Sequence, residues 1–201
     1  MSRTLSISEI GLWKKARNRR TLLDLTLELT ARCNNNCSHC YVNLPQGDRR
    51  AIENELKFND IRTIIDDAVD LGCLWIHLTG GEPLLRTDFS DIYLYLKNKG
   101  MLVTLLTNAS LVTREHIRLF RQYPPRAIEV SVYGVTESTH RSVTKAKLFR
   151  QTLDGISRLL EAALPVTLKT TMTRTNWHEF DQIAAWCRKK TARPFRFDPF
   201  L

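Results

Sequence analysis

The sequence predicts an α/β fold, a partial (β/α)6 barrel whose sixth helix is missing or truncated. Strand-like and helix-like hydrophobic patterns alternate from residue 22 to residue 199, and the connections are long enough for right-handed crossovers. The chain has 201 residues, 43% of them hydrophobic, which suffices for one core. It also stops at the sixth strand, in RPFRFDPFL, where a covering helix is expected.

Each element is predicted from its own periodicity. The predicted strands are residues 22–30, 73–79, 101–107, 127–133, 165–172 and 195–199. Helices are predicted around apolar stripes at residues 60–71, 88–99, 113–122, 149–163 and 180–187. Asn59 and Thr113 are expected to cap the first and third helices, and Asn176 with Glu179 has capping-box spacing before the fifth. In such barrels the chemistry lies at the carboxyl ends of the strands.

Composition excludes several classes of protein. No run of 18 or more apolar residues occurs, so no membrane-spanning helix is predicted. Residues 1–21 are basic and lack the apolar region of a secretory signal, so we interpret them as a leader before one core domain, residues 22–201. The odd cysteine count favours metal binding in a reducing cytoplasm over a disulfide framework.

The net charge of +9 allows two interpretations. Solvated surface is the simpler one, and a surface for an acidic partner, either a peptide or a nucleic acid, is the other. A nucleic-acid partner is not expected, because the sequence shows neither aromatic interleaving nor a nucleic-acid-binding motif.

The first motif is CNNNCSHC, which places Cys33, Cys37 and Cys40 in the loop after the first strand. Three thiolates can bind three irons of a [4Fe–4S] cluster and leave the fourth iron open to an outside ligand. A closed zinc site is the alternative, and it needs a fourth protein ligand. His39 adjoins Cys40 and would strain the loop, whereas His77 could serve only through the fold.

The second motif is GGEP, residues 80–83, which follows the second predicted strand and therefore belongs at the same edge of the sheet. Two glycines let the backbone approach a ligand closely, and a carboxylate beside them can pair with a ligand ammonium. Alone, the motif also fits a simple turn. Its position at the strand end next to the cysteine loop favours a ligand site.

Together the two motifs resemble the CxxxCxxC signature and the GGE motif of the radical S-adenosylmethionine (SAM) superfamily. LLTNAS (105–110), SVYG (131–134) and residues 139–176 resemble its SPASM-type peptide-modifying branch, and the likeness covers roughly residues 22–200. The resemblance implies a barrel of the radical SAM type. It also implies that a [4Fe–4S] cluster reduces SAM to a 5′-deoxyadenosyl radical, which abstracts hydrogen from a peptide (maturase type) or a small molecule. An external one-electron reductant such as flavodoxin or ferredoxin is implied as a partner.

The resemblance further implies roles for individual residues. The cluster is expected to be bound by Cys33, Cys37 and Cys40, and the methionine amine to be contacted by Gly80, Gly81 and Glu82. Adenine is expected to lie near His39 and Tyr41. The sugar or the methionine part is expected to contact Asn108 and Ser131, and the SAM carboxylate to contact Lys169.

The chain differs from the SPASM-type pattern in two respects, since it carries no cysteine-rich C-terminal segment and no sixth helix. Two alternatives therefore stand beside the enzyme: a truncated domain that binds cluster and SAM without turnover, and a zinc-stabilised binding module. Arg193, Arg196 and Asp198 are candidates to face substrate.

Other residues of the chain are expected to serve the structure. Cys73 and Cys187 are predicted to lie in the core. His77 is predicted to be a hydrogen-bonded structural histidine, and Glu129 to line the barrel or pair with a basic side chain on its outside.

Overall fold

A computed structural model describes Asn18, residues 21–191 and residues 195–199. These residues contain strands β1 (Asp24–Glu28), β2 (Arg32–Cys33), β3 (Leu44–Pro45), β4 (Trp75–Thr79), β5 (Leu102–Thr107), β6 (Ala127–Ser131), β7 (Val166–Met172) and β8 (Arg196–Pro199). Six of them form one parallel sheet in the order β1-β4-β5-β6-β7-β8, which confirms the predicted partial barrel. Apart from Asn18 and Thr21, the predicted leader lies outside the described residues.

Helices connect the strands of the sheet. Within residues 21–191 they are α1 (Arg49–Glu53), α2 (Phe58–Asp70), α3 (Phe89–Asn98), α4 (Arg114–Gln122), α5 (Glu137–Thr144), α6 (Phe149–Glu161) and α7 (Phe180–Lys190). Short 3₁₀ turns at Pro83–Leu85 and Trp177–Glu179 precede α3 and α7. Among the described residues, none of the helices has the length and the apolar character needed to span a bilayer.

Two of these helices, α1 and α5, were not predicted. α1 is only five residues long and buries none of them, so it has no apolar stripe to detect. α5 is eight residues long and buries mainly polar side chains. Hydrophobic periodicity therefore misses both.

The core lies between the sheet and its helices. Alternate residues of the central strands, such as Ile76 and Leu78 in β4 and Leu105 in β5, are completely buried. Cys73 and Cys187 belong to the same buried cluster, which confirms their predicted structural role. Burial of each large aliphatic side chain contributes about 1.5–3 kcal/mol relative to exposure, so the helices are held firmly against the sheet.

The predicted helix caps are partly correct. Thr113 caps α4 by accepting a hydrogen bond from the His116 N–H. Asn59 does not cap α2, because that helix begins at Phe58 with Lys57 as its N-cap residue. The Asp60 carboxylate accepts from the Lys57 N–H at 3.0 Å and so fixes the earlier start.

Candidate functional site

A cavity of about 260 Å³ opens at the carboxyl ends of the sheet strands. It brings together ten of the eleven residues singled out from the sequence: Cys33, Cys37, His39, Cys40, Tyr41, Gly80, Gly81, Asn108, Ser131 and Lys169. Glu82, the eleventh, is buried and does not line the cavity. Because all six strands are parallel, the segments that follow them meet at this one edge.

The cysteine loop is held in place by α5. The Asn36 N–H donates to the Thr144 carbonyl at 2.8 Å, and the Ser38 N–H donates to the Val143 carbonyl at 3.0 Å. The last turn of a helix leaves its carbonyls without intrahelical partners, so α5 offers the loop two free acceptors. The sequence signal for this helix is its N-cap, Thr136, whose hydroxyl accepts from the Thr139 N–H.

The N-terminal end of α5 is fixed by Glu179, which corrects the predicted capping box. The Glu179 carboxylate accepts hydrogen bonds from the Val135 N–H (2.8 Å) and from the hydroxyls of Thr136 (2.8 Å) and Thr139 (2.6 Å). Asn176 instead accepts from the Thr173 N–H at 2.7 Å. The capping-box prediction is therefore wrong, because Glu179 binds the start of α5 rather than the backbone of its own helix.

The three loop cysteines are free thiols that repel one another when ionised. Burial raises the pKa of Cys33 to about 11 and that of Cys37 to about 12, and the charges of neighbouring thiolates add to both shifts. Ionised thiolates in this site therefore need a positive charge beside them, which bound iron provides.

The donor set suits a cluster better than a single metal ion. Among the described residues, no three His, Cys, Asp or Glu side chains meet closely enough to hold one metal ion. A [4Fe–4S] cluster does not require three ligands to converge on one ion, because each thiolate binds a different iron. Because all three cysteines line the cavity, the donor set fits a cluster held by Cys33, Cys37 and Cys40.

The two glycines of GGEP are required by a close approach of backbone. A Cβ atom at Gly80 would lie 2.3 Å from the Thr30 carbonyl oxygen, and one at Gly81 would lie 2.1 Å from that of Arg32. The same segments are joined by hydrogen bonds from the Gly81 N–H to Thr30 (2.7 Å) and from the Glu82 N–H to Arg32 (2.8 Å). The GGE turn is thereby docked directly on the backbone that leads into the cysteine loop.

Glu82 ties the GGE turn to the end of β5. Its fully buried carboxylate accepts from the Thr107 hydroxyl (2.7 Å) and from the N–H groups of Asn108 (2.8 Å) and Leu84 (3.1 Å). Burial raises the pKa of Glu82, and these three donors offset part of the rise. The predicted contact of Glu82 with the methionine amine stays a prediction.

Asn108 connects β5 to the cysteine loop. Its Nδ2 donates to Asn34 Oδ1 at 2.8 Å, and its Oδ1 accepts from the Ser110 N–H at 2.9 Å. Asn34 in turn donates to the Ser110 hydroxyl at 2.8 Å. Sequence reasoning assigned a role to Asn108 but missed Asn34, which lies 74 residues away in the chain.

Tyr133 is a further site residue that the sequence did not single out, although SVYG was noticed as a motif. Its side chain lines the cavity together with Cys37 and Ser131, and burial raises its pKa. Its ring lies 5.1 Å from the ring of His39, centroid to centroid. Tyr41, by contrast, is 87% exposed, and its hydroxyl donates to Glu28 at 2.6 Å.

Lys169 enters the cavity from β7 and pairs with Glu129. Lys169 Nζ lies 2.9 Å from one Glu129 oxygen, and an Arg196 nitrogen lies 2.9 Å from the other. Burial acts to raise the pKa of Glu129, but the hydrogen bond and charge of Lys169, with the charges of Arg196 and His77, lower it overall. His77 is hydrogen-bonded to Asp24 at 2.9 Å, as predicted.

Three residues near the last strand, Arg193, Arg196 and Asp198, were candidates to face substrate. Asp198 lines the cavity, so one of the three candidates to face substrate is at the site. Arg193 lies outside the described residues.

Residues 27–187 match the family model of the radical SAM superfamily, and the chain belongs to that superfamily. Proteins of this family bind a [4Fe–4S] cluster and SAM, so these are the cofactors of the domain. The resemblance stated from the two motifs is thereby confirmed.

Three curated proteins show how broad the likeness is. An AdoMet-dependent heme synthase of Nitratidesulfovibrio vulgaris is 28% identical over 190 residues, which cover 90% of this chain and 50% of that protein. One of Methanosarcina barkeri is 35% identical over 76% of this chain and 43% of its own length. A PqqA peptide cyclase of Bradyrhizobium diazoefficiens is 28% identical over 80% of this chain and 42% of its own length. The chain thus spans at most half the length of these curated relatives.

Solved structures confirm the fold. Streptococcus suis SuiB bound to precursor peptide SuiA has a TM-score of 0.78 at 16% identity, over 94% of this chain and 42% of SuiB. Native anSMEcpe with bound AdoMet has a TM-score of 0.74 at 13% identity, over 90% of this chain and 52% of its own. At these sequence identities the structural similarity shows the fold alone.

Proposed function

We propose that this domain uses its cluster and SAM to abstract a hydrogen atom from a peptide substrate. When bound, the cofactors supply an electron from the cluster to the SAM sulfonium, giving methionine and a 5′-deoxyadenosyl radical that takes the hydrogen. The observation that carries the proposal is the shared cavity. The three loop cysteines, both glycines and every side chain assigned to SAM except Glu82 line one cavity.

The side chains of the chain divide the work of binding. Cys33, Cys37 and Cys40 hold the cluster, while the backbone of Gly80 and Gly81 approaches the methionine part of SAM. Lys169, which already lies in the cavity as a paired cation, offers a charge-assisted hydrogen bond to the SAM carboxylate.

Two observations support a peptide substrate. SuiB was crystallised with a precursor peptide, and a PqqA peptide cyclase is among the relatives by sequence. In addition, β1 and β8 are the two edges of the sheet in the described part of the chain, so the barrel is open on one side. An open side can admit an extended peptide. The heme synthases among the relatives make a small molecule the competing substrate class.

The proposal also includes a reduced cytoplasmic setting and an external reductant. All five cysteines are free thiols, as expected in a reducing compartment. A one-electron carrier such as flavodoxin or ferredoxin would supply the electron that each SAM cleavage consumes. The basic leader, residues 1–21, and the core domain, residues 22–201, are proposed as the two parts of the chain.

Anaerobic reconstitution with iron and sulfide tests the cofactor part. We expect about four iron and four sulfide per chain and reductant-dependent formation of 5′-deoxyadenosine. Cys37→Ala should lose the cluster, whereas Cys73→Ala, which removes a core thiol, should retain it. Zinc without sulfide would instead favour the binding module. SAM binding without 5′-deoxyadenosine would favour a domain without turnover.

Deuterium transfer tests the substrate class. A deuterated peptide substrate should pass deuterium into 5′-deoxyadenosine, because the radical removes a hydrogen atom from its substrate. A deuterated porphyrin serves as the comparison. Transfer from the porphyrin alone would contradict the peptide proposal and leave the radical chemistry intact.

A further inference from the structure

The wall that carries the cysteine loop has a second, outer face. A groove of about 570 Å³ runs between the loop and the segment that joins α5 to α6. Cys33 and Asn35 line both this groove and the cavity assigned to SAM. The cluster-binding loop is therefore a thin partition that can be reached from the outside without passing through the SAM cavity.

The outer groove is basic. Its lining includes two exposed lysines, Lys145 and Lys147, and no acidic side chain. Neither lysine forms an ion pair with any described residue. Lys169 and Arg196, in contrast, both form ion pairs with Glu129. The two groove lysines thus present unpaired positive charge directly outside the cluster loop.

Lys145 has a backbone conformation that is unusual for a lysine. Lys145 is the C-cap of α5 and has left-handed dihedral angles, φ 55° and ψ 17°. Glycine is favoured at such a position, because a Cβ atom lies too close to the following carbonyl oxygen. Among the described non-glycine residues, positive φ angles occur at Ala109, Lys145 and Ala163, and of these three Lys145 carries a charge.

We infer that this groove is the docking surface for the acidic one-electron carrier protein that reduces the cluster. The inference rests on the proposed function. If SAM binds in the cavity, as proposed, an electron would reach the cluster from another side, and the groove would provide access there because Cys33 lines both spaces. Electron-transfer complexes are small and polar, so two free lysines around a groove suffice to orient a carrier. The carrier gives up one electron, is oxidised, and leaves the cluster reduced by one electron.

Reduction kinetics test this surface. The variant combines Lys145→Asn, which keeps a side chain suited to the left-handed position, with Lys147→Glu. Reconstituted protein is mixed anaerobically with a reduced acidic flavodoxin, and cluster bleaching is followed against time. We expect the second-order rate at low salt to fall about tenfold or more, and the wild-type rate to fall as salt rises. Titration of oxidised flavodoxin should show weaker binding to the variant, independently of turnover.

The matched control combines Arg188→Gln with Lys189→Glu in the last turn of α7. Both residues are exposed, and the change in net charge is the same. Because α7 runs back from the carboxyl ends of the strands, its last turn lies at the opposite end of the sheet. The control should be reduced at the wild-type rate by flavodoxin. Dithionite, a small reductant that needs no docking surface, should reduce all three proteins equally.

Three results would overturn the docking surface. They are an unchanged flavodoxin rate in the groove variant, an equal loss in the control, and an equal loss with dithionite. Binding of single-stranded DNA that depends on the two lysines, with flavodoxin reduction unchanged, would assign the groove to nucleic acid instead. A protein that takes up no cluster refutes the proposed function, whereas a cluster-loaded, SAM-cleaving protein indifferent to the lysines refutes only the docking surface.

Discussion

Gly81→Ala is expected to disrupt the site through a steric clash with the cysteine loop. The added Cβ would lie 2.1 Å from the Arg32 carbonyl oxygen, whereas ordinary contact begins near 3.4 Å. The two backbones must therefore separate by more than about 1 Å, which weakens the hydrogen bonds from Gly81 to Thr30 and from Glu82 to Arg32. Overpacking costs about 1–3 kcal/mol, and each weakened hydrogen bond about 1 kcal/mol. A total of about 3–5 kcal/mol corresponds to a fall of about 6–20 °C in Tm.

The assay combines thermal unfolding with iron and sulfide content after reconstitution. We expect the Gly81→Ala protein to be less stable and to hold less cluster, because Arg32 directly precedes the first cysteine. Gly47→Ala is the control, since a Cβ there meets nothing within 4 Å. If Gly81→Ala keeps the wild-type Tm and cluster content, the close approach of the two backbones does not govern the site and the reasoning fails.

Further predictions concern two charged or titratable positions. Burial lowers the pKa of His140 to about 4. Below about pH 6.5 the unfolded chain therefore binds more protons than the folded chain, and the free energy of unfolding falls. We expect about 2 kcal/mol to be lost between about pH 7 and about pH 5. Denaturant unfolding of His140→Phe should show a flatter pH dependence, whereas the exposed His178→Phe should behave like wild type. Lys169→Met should weaken SAM binding in calorimetry by about tenfold, whereas Glu129→Gln, which breaks the same ion pair, should not. Equal losses in both variants would mean that Lys169 acts only through the pair.

The sheet and the site motifs could be predicted from sequence because their signals are local. A buried strand such as β5 needs an apolar run, and its residues are contiguous. The CxxxCxxC loop and GGEP are likewise short, and parallel strands bring the segments that follow them to one edge whatever the details of packing. The fold therefore follows from periodicity, and the cofactor site from two motifs placed at neighbouring strand ends.

The parts that hold the site together could not be predicted because they depend on pairing between distant polar residues. Glu179 binds the start of α5 across 40 to 44 residues, and Asn34 reaches Asn108 across 74. Any asparagine or glutamate near a helix start has the composition of a local cap, and only the tertiary arrangement decides which partner it binds. The capping-box interpretation of Glu179 failed for this reason.

The same contacts explain how the cysteine loop gains a defined shape from a sequence with little apolar character. Asn36 and Ser38 are held by α5, and Asn34 is held by Asn108. The GGE turn is in turn fixed to β5 by Glu82. The ties of Asn36 and Ser38 use carbonyls at the end of α5 that lack intrahelical partners, whereas Asn34 and Asn108 join through their side chains. The loop that carries the cluster is therefore shaped by the ends of neighbouring elements, and for that reason the short helix α5 is needed beside it.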